Sequence, residues 1–329
     1  MSISTIMSTF TIASIYAILG FGVFISFKIL NITDLTVEAS FGFGAAISGM
    51  MCRKANVDAL VSTFGNWISI PLPFLSLICA FLGGSVAGLI TAILHTKLKI
   101  NSVLSGILTL TAFYTINLIT VGKNTSIGLS GKKGVTLFPD SYLGKMFIMF
   151  GITILIGVAL AFFFKTRLGL SIRACGDNEQ MTKTQCISTD LMKTLGLSLS
   201  NGLVGLSGAL FIQCNANYST NLEQGMMVVG VATIIIGEII ALRKHNISIM
   251  LVGIFSGSVI YRFIYAISLR LPFIKTTYLH LITAGLIVSV MLVSKIVFDL
   301  KLKKRIKNND TLLEIEEKNL INRSSLEEE

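Results

Sequence analysis

Charged residues are scarce in this chain. They make up 13% of its 329 residues, whereas an ordinary soluble domain has about 25%. Residues of the apolar class make up 53%. This composition excludes an intrinsically disordered chain and argues against a soluble globular protein. The 27 basic residues outnumber the 17 acidic ones, so the position of the basic excess is the next question.

Residue patterns that build an enzyme site are also missing. The three histidines, His95, His245 and His280, form no H-E-x-x-H pair, and no serine lies in a G-x-S-x-G motif. The five cysteines show no metal-ligand spacing. In the nearest approach to a Walker A loop, S-I-G-L-S-G-K-K, Ser126 replaces the first glycine and Lys133 the final Ser or Thr. We therefore expect a protein that is not an enzyme and carries no metal or cofactor of its own.

Long uncharged runs are present instead. Asp, Glu, Lys and Arg are absent from residues 1–27, 59–96, 100–122, 146–164, 194–222 and 276–294. An apolar helix needs about 20 residues to cross a bilayer. The sequence therefore predicts an all-α polytopic membrane protein with about nine spans, at residues 6–27, 35–52, 74–94, 102–121, 146–164, 194–214, 225–242, 248–269 and 279–298. The second span is short and contains Glu38, so we expect it to be broken or only partly inserted.

The basic residues indicate an orientation. Cytoplasmic loops are enriched in Lys and Arg, and a basic cluster follows the last predicted span: Lys295, Lys301, Lys303, Lys304, Arg305 and Lys307. We expect a multi-pass membrane protein with a cytoplasmic C-terminus, and the basic cluster is expected to contact anionic lipid. Residues 1–300 are predicted to form the transmembrane domain, and residues 301–329 a charged, disordered cytoplasmic tail.

Small residues recur four apart on three predicted helices. The sets are Ala80, Gly84 and Gly88; Asn201, Gly205 and Ala209; and Gly253 with Gly257. Such faces let helix backbones approach closely within lipid. We expect tight helix–helix packing there, and we expect Asn117, Asn201 and Gln213 to form hydrogen bonds between helices.

The longest predicted inner connection, residues 165–193, looks folded. It is predicted to form a short helix, a glycine turn and a second short helix that Asp177 caps, with Gln180 completing a capping box. A connection of 29 residues is longer than a linker requires. A soluble partner could therefore dock on it, and we call residues 165–193 the coupling segment.

Several blocks of this sequence resemble one family, the permease subunits of ATP-binding-cassette importers for branched-chain amino acids and ribose. The similarity in the coupling segment rests on Gly169, Arg173, Ala174, Gly176, Asn178 and Ile187. Further similar blocks are D-L-T-V-E at residues 34–38, L-S-N-G-L-V-G at 199–205, I-G-E at 236–238 and G-S-V-I-Y-R at 257–262. Within the family, the blocks look closest to tryptophan/tyrosine-type permeases. Cys186 and Ala39 stand where glycine is usual, and His280 stands where lysine is often found.

The resemblance implies partners as well as a function. It implies a homodimeric or paired permease, two cytoplasmic ATPase subunits that bind the ATP, and an extracytoplasmic solute-binding protein. Short cytoplasmic helices of such permeases sit in clefts of the ATPases. By that similarity, the residues expected to couple ATPase closure to the membrane are Gly169, Arg173, Ala174, Gly176, Asp177, Asn178 and Lys183.

Charged and amide residues within spans are the candidates for the translocation path, because such residues usually face water or one another. Glu38, Asn201 and Arg262 are our candidates. Glu38 and Arg262 could hold the ammonium and carboxylate of an amino acid, or they could form a buried ion pair with each other. Asp34 lies four residues before Glu38 and could also face the path; the alternative, which we favour, is that it is the N-cap of the second span. Glu238 is expected to extend its carboxylate to the membrane interface.

These observations favour the membrane subunit of an ATP-driven importer. It would translocate a small polar solute, expected to be an amino acid, by alternating access driven by separate ATPases. The alternative is a stand-alone secondary transporter or channel, which would need its own coupling-ion site and is often built from inverted repeats. No clear repeat is visible, and acidic residues within the predicted spans are few.

Overall fold

The computed structural model of the protein describes residues 3–53, 56–58, 61–62, 71–122, 126–129, 136–139, 141–220, 223–241 and 246–269, with positions 284–285, 288–289 and 292. The chain divides into two compact units, Met1–Thr283 and Ala284–Glu329. The described positions of the second unit are helical. Most of the predicted span at 279–298 and all of the predicted tail at 301–329 lie outside the described residues.

The described part of the first unit is nearly all helical. Its helices are α1 (Ile3–Phe24), continued by a π-helical turn (Ile25–Ile29), α2 (Thr36–Cys52), α3 (Leu72–Thr96), α4 (Ser102–Val121), α5 (Tyr142–Phe163), α6 (Arg167–Asp177), α7 (Glu179–Thr184), α8 (Thr189–Asn215), α9 (Met226–Ile240) and α10 (Ile247–Ser268). Two short strands, β1 (Ser126–Gly128) and β2 (Asn217–Ser219), pair antiparallel. Asparagine side chains begin α4 and α10, because Asn101 accepts the N–H of Val103 and Asn246 that of Ser248.

The structure confirms an all-α membrane protein but not the predicted number of spans. Among the described residues, 6 helices have the length and apolar composition to cross a bilayer: Ile3–Ile29, Leu72–Thr96, Ser102–Val121, Tyr142–Phe163, Thr189–Asn215 and Ile247–Ser268. The 17 residues of α2 and the 15 of α9 are shorter than the about 20 that a span needs. Protein rather than lipid surrounds much of α2, since most of its residues are buried.

Helix α8 lies at the centre of the bundle, and its small-residue face packs on α3. A Cβ atom at Gly84 would collide with the carbonyl oxygen of Asn201, and one at Gly205 would lie 2.6 Å from the carbonyl oxygen of Ala80. Only glycine allows the two backbones to approach so closely. The predicted close contact of these faces is confirmed.

Helices α9 and α10 pack in the same way. A Cβ atom at Gly257 would collide with the carbonyl oxygen of Thr233, and one at Gly253 would lie 2.6 Å from that of Gly237. By contrast, α5 is largely exposed and presents apolar side chains such as Leu155 and Phe162. Helix α5 is therefore peripheral, and its outer face has the composition expected for contact with lipid.

The two ends of the bundle differ in structure. At one end, β1 and β2 cover the ends of α2 and α4, where Ile127 and Tyr218 join a buried cluster with Cys52 and Val121. At the other end, α6 lies against the end of the first span, where Gly176 meets the backbone of Ile29, and α7 packs on α6 and α8. We call these the sheet end and the coupling end.

Candidate coupling segment and buried polar sites

Two capped helices form the coupling segment. Thr166 begins α6, and its hydroxyl accepts the N–H of Gly169 at 3.3 Å. Asn178 begins α7, and its side-chain oxygen accepts the N–H of Met181 at 3.0 Å. The prediction that Asp177 caps the second helix was wrong. Asp177 is still the last residue of α6, whereas Asn178 has the extended backbone (φ −155°, ψ 103°) that an N-cap requires. Gln180 therefore does not complete a capping box.

Two glycines of α6 hold it against the membrane helices. A Cβ atom at Gly176 would collide with the carbonyl oxygen of Ile29, and one at Gly169 would collide with the carbonyl oxygen of Phe163. The segment therefore touches the ends of both α1 and α5 without intervening side chains. Ala174 is half-buried on the same helix. A displacement of α6 must move these two helix ends or break the contacts.

Helix α7 is tied to α8 by charge. Glu179 accepts hydrogen bonds from Lys193 at 2.7 Å and from Lys183 at 2.9 Å. The ammonium of Lys193, followed by that of Lys183, lowers the pKa of Glu179 from 4.5 to about 2. Glu179 is therefore ionised at neutral pH and fixes the orientation of α7. Met181 and Lys183 remain exposed on the outer side of α7.

Two cavities flank the coupling segment. The larger, of about 620 Å³, lies between α7, the start of α8 and the α3–α4 turn, and its lining includes His95, Lys99 and Lys193. The smaller, of about 250 Å³, is lined by Arg173 together with Lys165 and Asn246. Arg173 thus lies where α5, α6 and α10 meet, rather than on the freely exposed side of the segment.

Cys186 lies in a tight turn between α7 and α8. Its φ angle is 57°, in the left-handed region. A side chain at this conformation is strained by contact between Cβ and the backbone, and glycine avoids that strain. Cys186 therefore forms this turn at a cost in backbone strain that glycine would avoid.

Asn201 joins three parts of the bundle. Its Nδ2 donates to Asp34 Oδ2 at 2.6 Å, and its Oδ1 accepts the hydroxyl of Ser40 at 2.7 Å. Asp34 Oδ1 accepts the N–H of Thr36 at 2.9 Å and so caps α2. The predicted interhelical hydrogen bonds of Asn201 and the capping role of Asp34 are confirmed. A role for Asn201 in the path stays a prediction.

Glu38 and Arg262 do not meet. Glu38 Oε1 accepts the N–H of Gly225 at 2.9 Å and thereby caps α9 from the neighbouring helix α2. The guanidinium of Arg262 lies over two aromatic rings, 4.8 Å from the centroid of Tyr265 and 5.7 Å from that of Tyr16. The hypothesis of a direct Glu38–Arg262 ion pair was therefore wrong. The role of each residue in the path stays a prediction.

Two further polar residues act between helices. Glu238 Oε1 accepts from Lys28 Nζ at 2.9 Å, so the carboxylate joins the end of α9 to the π-helical turn. Gln213 Nε2 donates to Ser76 Oγ at 2.9 Å and Ser48 Oγ at 3.1 Å. The bonds of Gln213 confirm that it links helices, as predicted.

The sequence did not predict that the carboxyl group of Glu223 is buried. Glu223 is 2% exposed, and its Oε2 accepts from Tyr218 Oη at 2.9 Å and Asn117 Nδ2 at 3.0 Å. The sequence placed Glu223 just beyond an uncharged run and before a predicted helix, a position that is usually a solvated boundary. The one signal in the sequence is that Glu223 is the only acidic residue between residues 191 and 237.

Comparison with known proteins gives the family. Residues 5–293 match the family described as branched-chain amino acid transport system / permease component. A tyrosine transport system permease protein of Clostridioides difficile (strain R20291) is 34% identical over 298 residues, which cover 91% of this chain and 94% of that protein.

More distant relatives transport other solutes. The guanosine ABC transporter permease protein NupQ of Bacillus subtilis (strain 168) is 26% identical over 226 residues, covering 61% of this chain and 68% of that protein. The autoinducer 2 import system permease protein LsrC of Salmonella typhi is 25% identical over 241 residues, covering 73% of this chain and 64% of that protein. The chain belongs to the branched-chain amino acid-type permease family and is the membrane subunit of an ATP-binding-cassette importer for a small solute, a transport component and not an enzyme.

Proposed function

We propose that the chain carries an amino acid across the bacterial cytoplasmic membrane by alternating access, driven by ATPase subunits that dock on α7 and push on α6. The observation that supports this proposal most directly is the contact of Gly176 with the backbone of Ile29 at the end of the first span. This contact joins α6, the helix directly before the proposed docking helix α7, to a membrane helix without a compressible side chain between them.

The proposed docking surface is the outer side of α7, with Met181 and Lys183 exposed. The ion pairs of Glu179 with Lys183 and Lys193 hold this helix on the start of α8. A force applied to α7 would therefore reach α8 through Lys193 and the first span through Gly176. Packed interfaces pass on such displacements because they are close-packed and resist compression.

Several further features complete the proposal. ATP binds to the partner subunits, a solute-binding protein docks at the sheet end, and two permease chains pair in the membrane. The coupling end and the C-terminal residues 301–329 then face the cytoplasm, in agreement with the basic cluster after residue 294. The tyrosine permease relative supports an amino-acid solute. Glu38 and Arg262 are both half-buried and stay our candidates for the path, with Asn201 positioning α2 beside it.

Co-purification tests the docking surface. Tagged permease is co-expressed with its partner ATPase, and the retained ATPase is measured per permease. The double change Met181→Glu and Lys183→Glu should reduce retention at least tenfold, because it adds two negative charges to the short helix that already carries Glu179. The matched control is Lys97→Glu, a charge reversal on the exposed α3–α4 turn at the same end, which should retain the ATPase. Equal retention by all three proteins would contradict docking on α7.

A further inference from the structure

Two buried side chains near the start of α9, Asn117 and Glu223, carry acceptor atoms that have no hydrogen-bond partner. Asn117 of α4 is 0% exposed and Glu223 is 2% exposed. The amide and the carboxyl group are in direct contact, because Asn117 Nδ2 donates to Glu223 Oε2 at 3.0 Å. On the same two groups, Glu223 Oε1 and Asn117 Oδ1 are buried and have no hydrogen-bond partner. Buried polar atoms in folded proteins nearly always form hydrogen bonds, so two atoms without one, on groups that touch each other, require an explanation.

Exchanging the amide atoms of Asn117 does not remove the problem. Its Nδ2 also donates to the carbonyl oxygen of Ala39 at 3.3 Å. A flipped amide would direct its oxygen at both this carbonyl and Glu223 Oε2, which are acceptors. The observed orientation is therefore the one that the surrounding groups require. Both orphaned atoms are acceptors, and an ionised carboxylate offers no donor.

One proton on Glu223 Oε1 satisfies both atoms. The protonated carboxyl group donates from Oε1 to Asn117 Oδ1 and accepts at Oε2 from Asn117 Nδ2, which closes an acid–amide ring. Tyr218 continues to donate to Oε2. We infer that Glu223 and Asn117 form a proton-binding site inside the bundle and that the carboxyl group of Glu223 is neutral in this conformation.

The surroundings of Glu223 favour the neutral form. Oε2 lies against the backbone of α2, where a Cβ atom at Gly42 would overlap it. The titratable groups that face it are Tyr218 of β2 and the acid Glu38 of α2, and Tyr114 of α4 adds to the electrostatic environment of Tyr218. No Lys, Arg or His of the described residues forms an ion pair with Glu223. An ionised carboxylate in such a place lacks the paired cation that would offset its burial.

The site has a consequence for the conformational cycle. Glu223 lies two residues before Gly225, the N-cap of α9, whose N–H is held by Glu38 of α2. The proton therefore attaches the start of α9 to α4, in addition to the hydrogen bond that attaches Gly225 to Glu38 of α2. A conformation that separates Glu223 from Asn117 loses the ring and binds the proton less tightly. By linkage, proton concentration then shifts the balance between the two conformations.

Infrared spectroscopy of the reconstituted full-length transporter at neutral pH tests this site. The carbonyl stretch of a protonated carboxylic acid is separate from the bands of a carboxylate. We expect such a band in the wild type and in Glu38→Gln, and its loss in Glu223→Gln. Identical carboxylic-acid bands in wild type and Glu223→Gln would overturn the proposal. The result does not depend on where the ATPase docks.

Thermal unfolding across pH gives a second, independent test. Glu223→Gln replaces the O–H by an N–H and keeps the ring, so its melting temperature at pH 5 should match that of the wild type. Above about pH 4.3 the unfolded chain releases the Glu223 proton that the folded chain retains. The wild type should therefore lose stability relative to Glu223→Gln as pH rises from about 5 to 8. A wild type that gains relative stability over this range would show an ionised Glu223 and overturn the inference.

Discussion

Replacing Asn201 by Ala removes the side chain that joins α8, α2 and the connection between α1 and α2. The change deletes a hydrogen bond to the Asp34 carboxylate and another from the Ser40 hydroxyl, both in a fully buried site. Removing one partner leaves the other buried polar group unsatisfied, which costs about 1–3 kcal/mol for each group, although hydrogen bonds between membrane helices average nearer 0.6 kcal/mol. We expect Asn201→Ala to lower the free energy of unfolding by about 2–4 kcal/mol.

The assay is equilibrium unfolding of the purified permease in mixed micelles, followed by helical circular dichroism. Asn215→Ala is the matched control, since Asn215 ends the same helix and its Nδ2 is buried with no hydrogen-bond partner. That change should cost less than about 0.5 kcal/mol, because it removes no hydrogen bond of that atom. Equal losses in the two variants would refute the reasoning that the Asn201 bonds hold these elements together.

Three further predictions concern the backbone and the coupling segment. Cys186→Gly should raise the free energy of unfolding by about 1 kcal/mol by relieving the left-handed strain, whereas Cys186→Ala should not, as unfolding curves would show. Glu179→Gln should weaken the attachment of α7. Because Lys193 and Lys183 lower the pKa of Glu179 to about 2, its contribution is full above pH 4.5 and lost as pH falls through about 2, so the difference in melting temperature from the wild type should shrink below pH 4. Gly84→Val should drive α3 from α8 and reduce the yield of folded permease in gel filtration, because its Cβ would meet the carbonyl oxygen of Asn201.

The sequence was informative wherever a pattern is local to one helix. The uncharged runs placed helices within a few residues of their observed ends, as at Ser102–Val121. The four-residue spacing of Gly84 and Gly88 identified the face that meets α8. Both patterns depend on helix geometry alone, because side chains three or four apart share a face.

Contacts set by the arrangement of several elements could not be read in this way. An ion pair with Arg262 was one of two alternatives for Glu38, but the turn before α9 brings the N–H of Gly225 to this carboxyl group instead. Asn117 and Glu223 are 106 residues apart, and only the packing of α4 against the α8–α9 connection makes them neighbours. The predicted cap, Asp177, lies one residue before the observed cap, Asn178. The two differ because Asp177 is still helical whereas Asn178 has an extended backbone.

The central claim is that α6 transmits the motion of the ATPase through Gly176. The direct measurement is ATP-driven uptake of the labelled amino acid that the solute-binding protein binds, by proteoliposomes that contain the permease, its ATPase and that binding protein. Gly176→Val should bind the ATPase normally and lose at least tenfold of uptake, since its side chain would displace the Ile29 backbone. Gly151→Val, where a Cβ meets nothing within 4 Å, should transport like the wild type. Wild-type uptake by Gly176→Val would contradict the account.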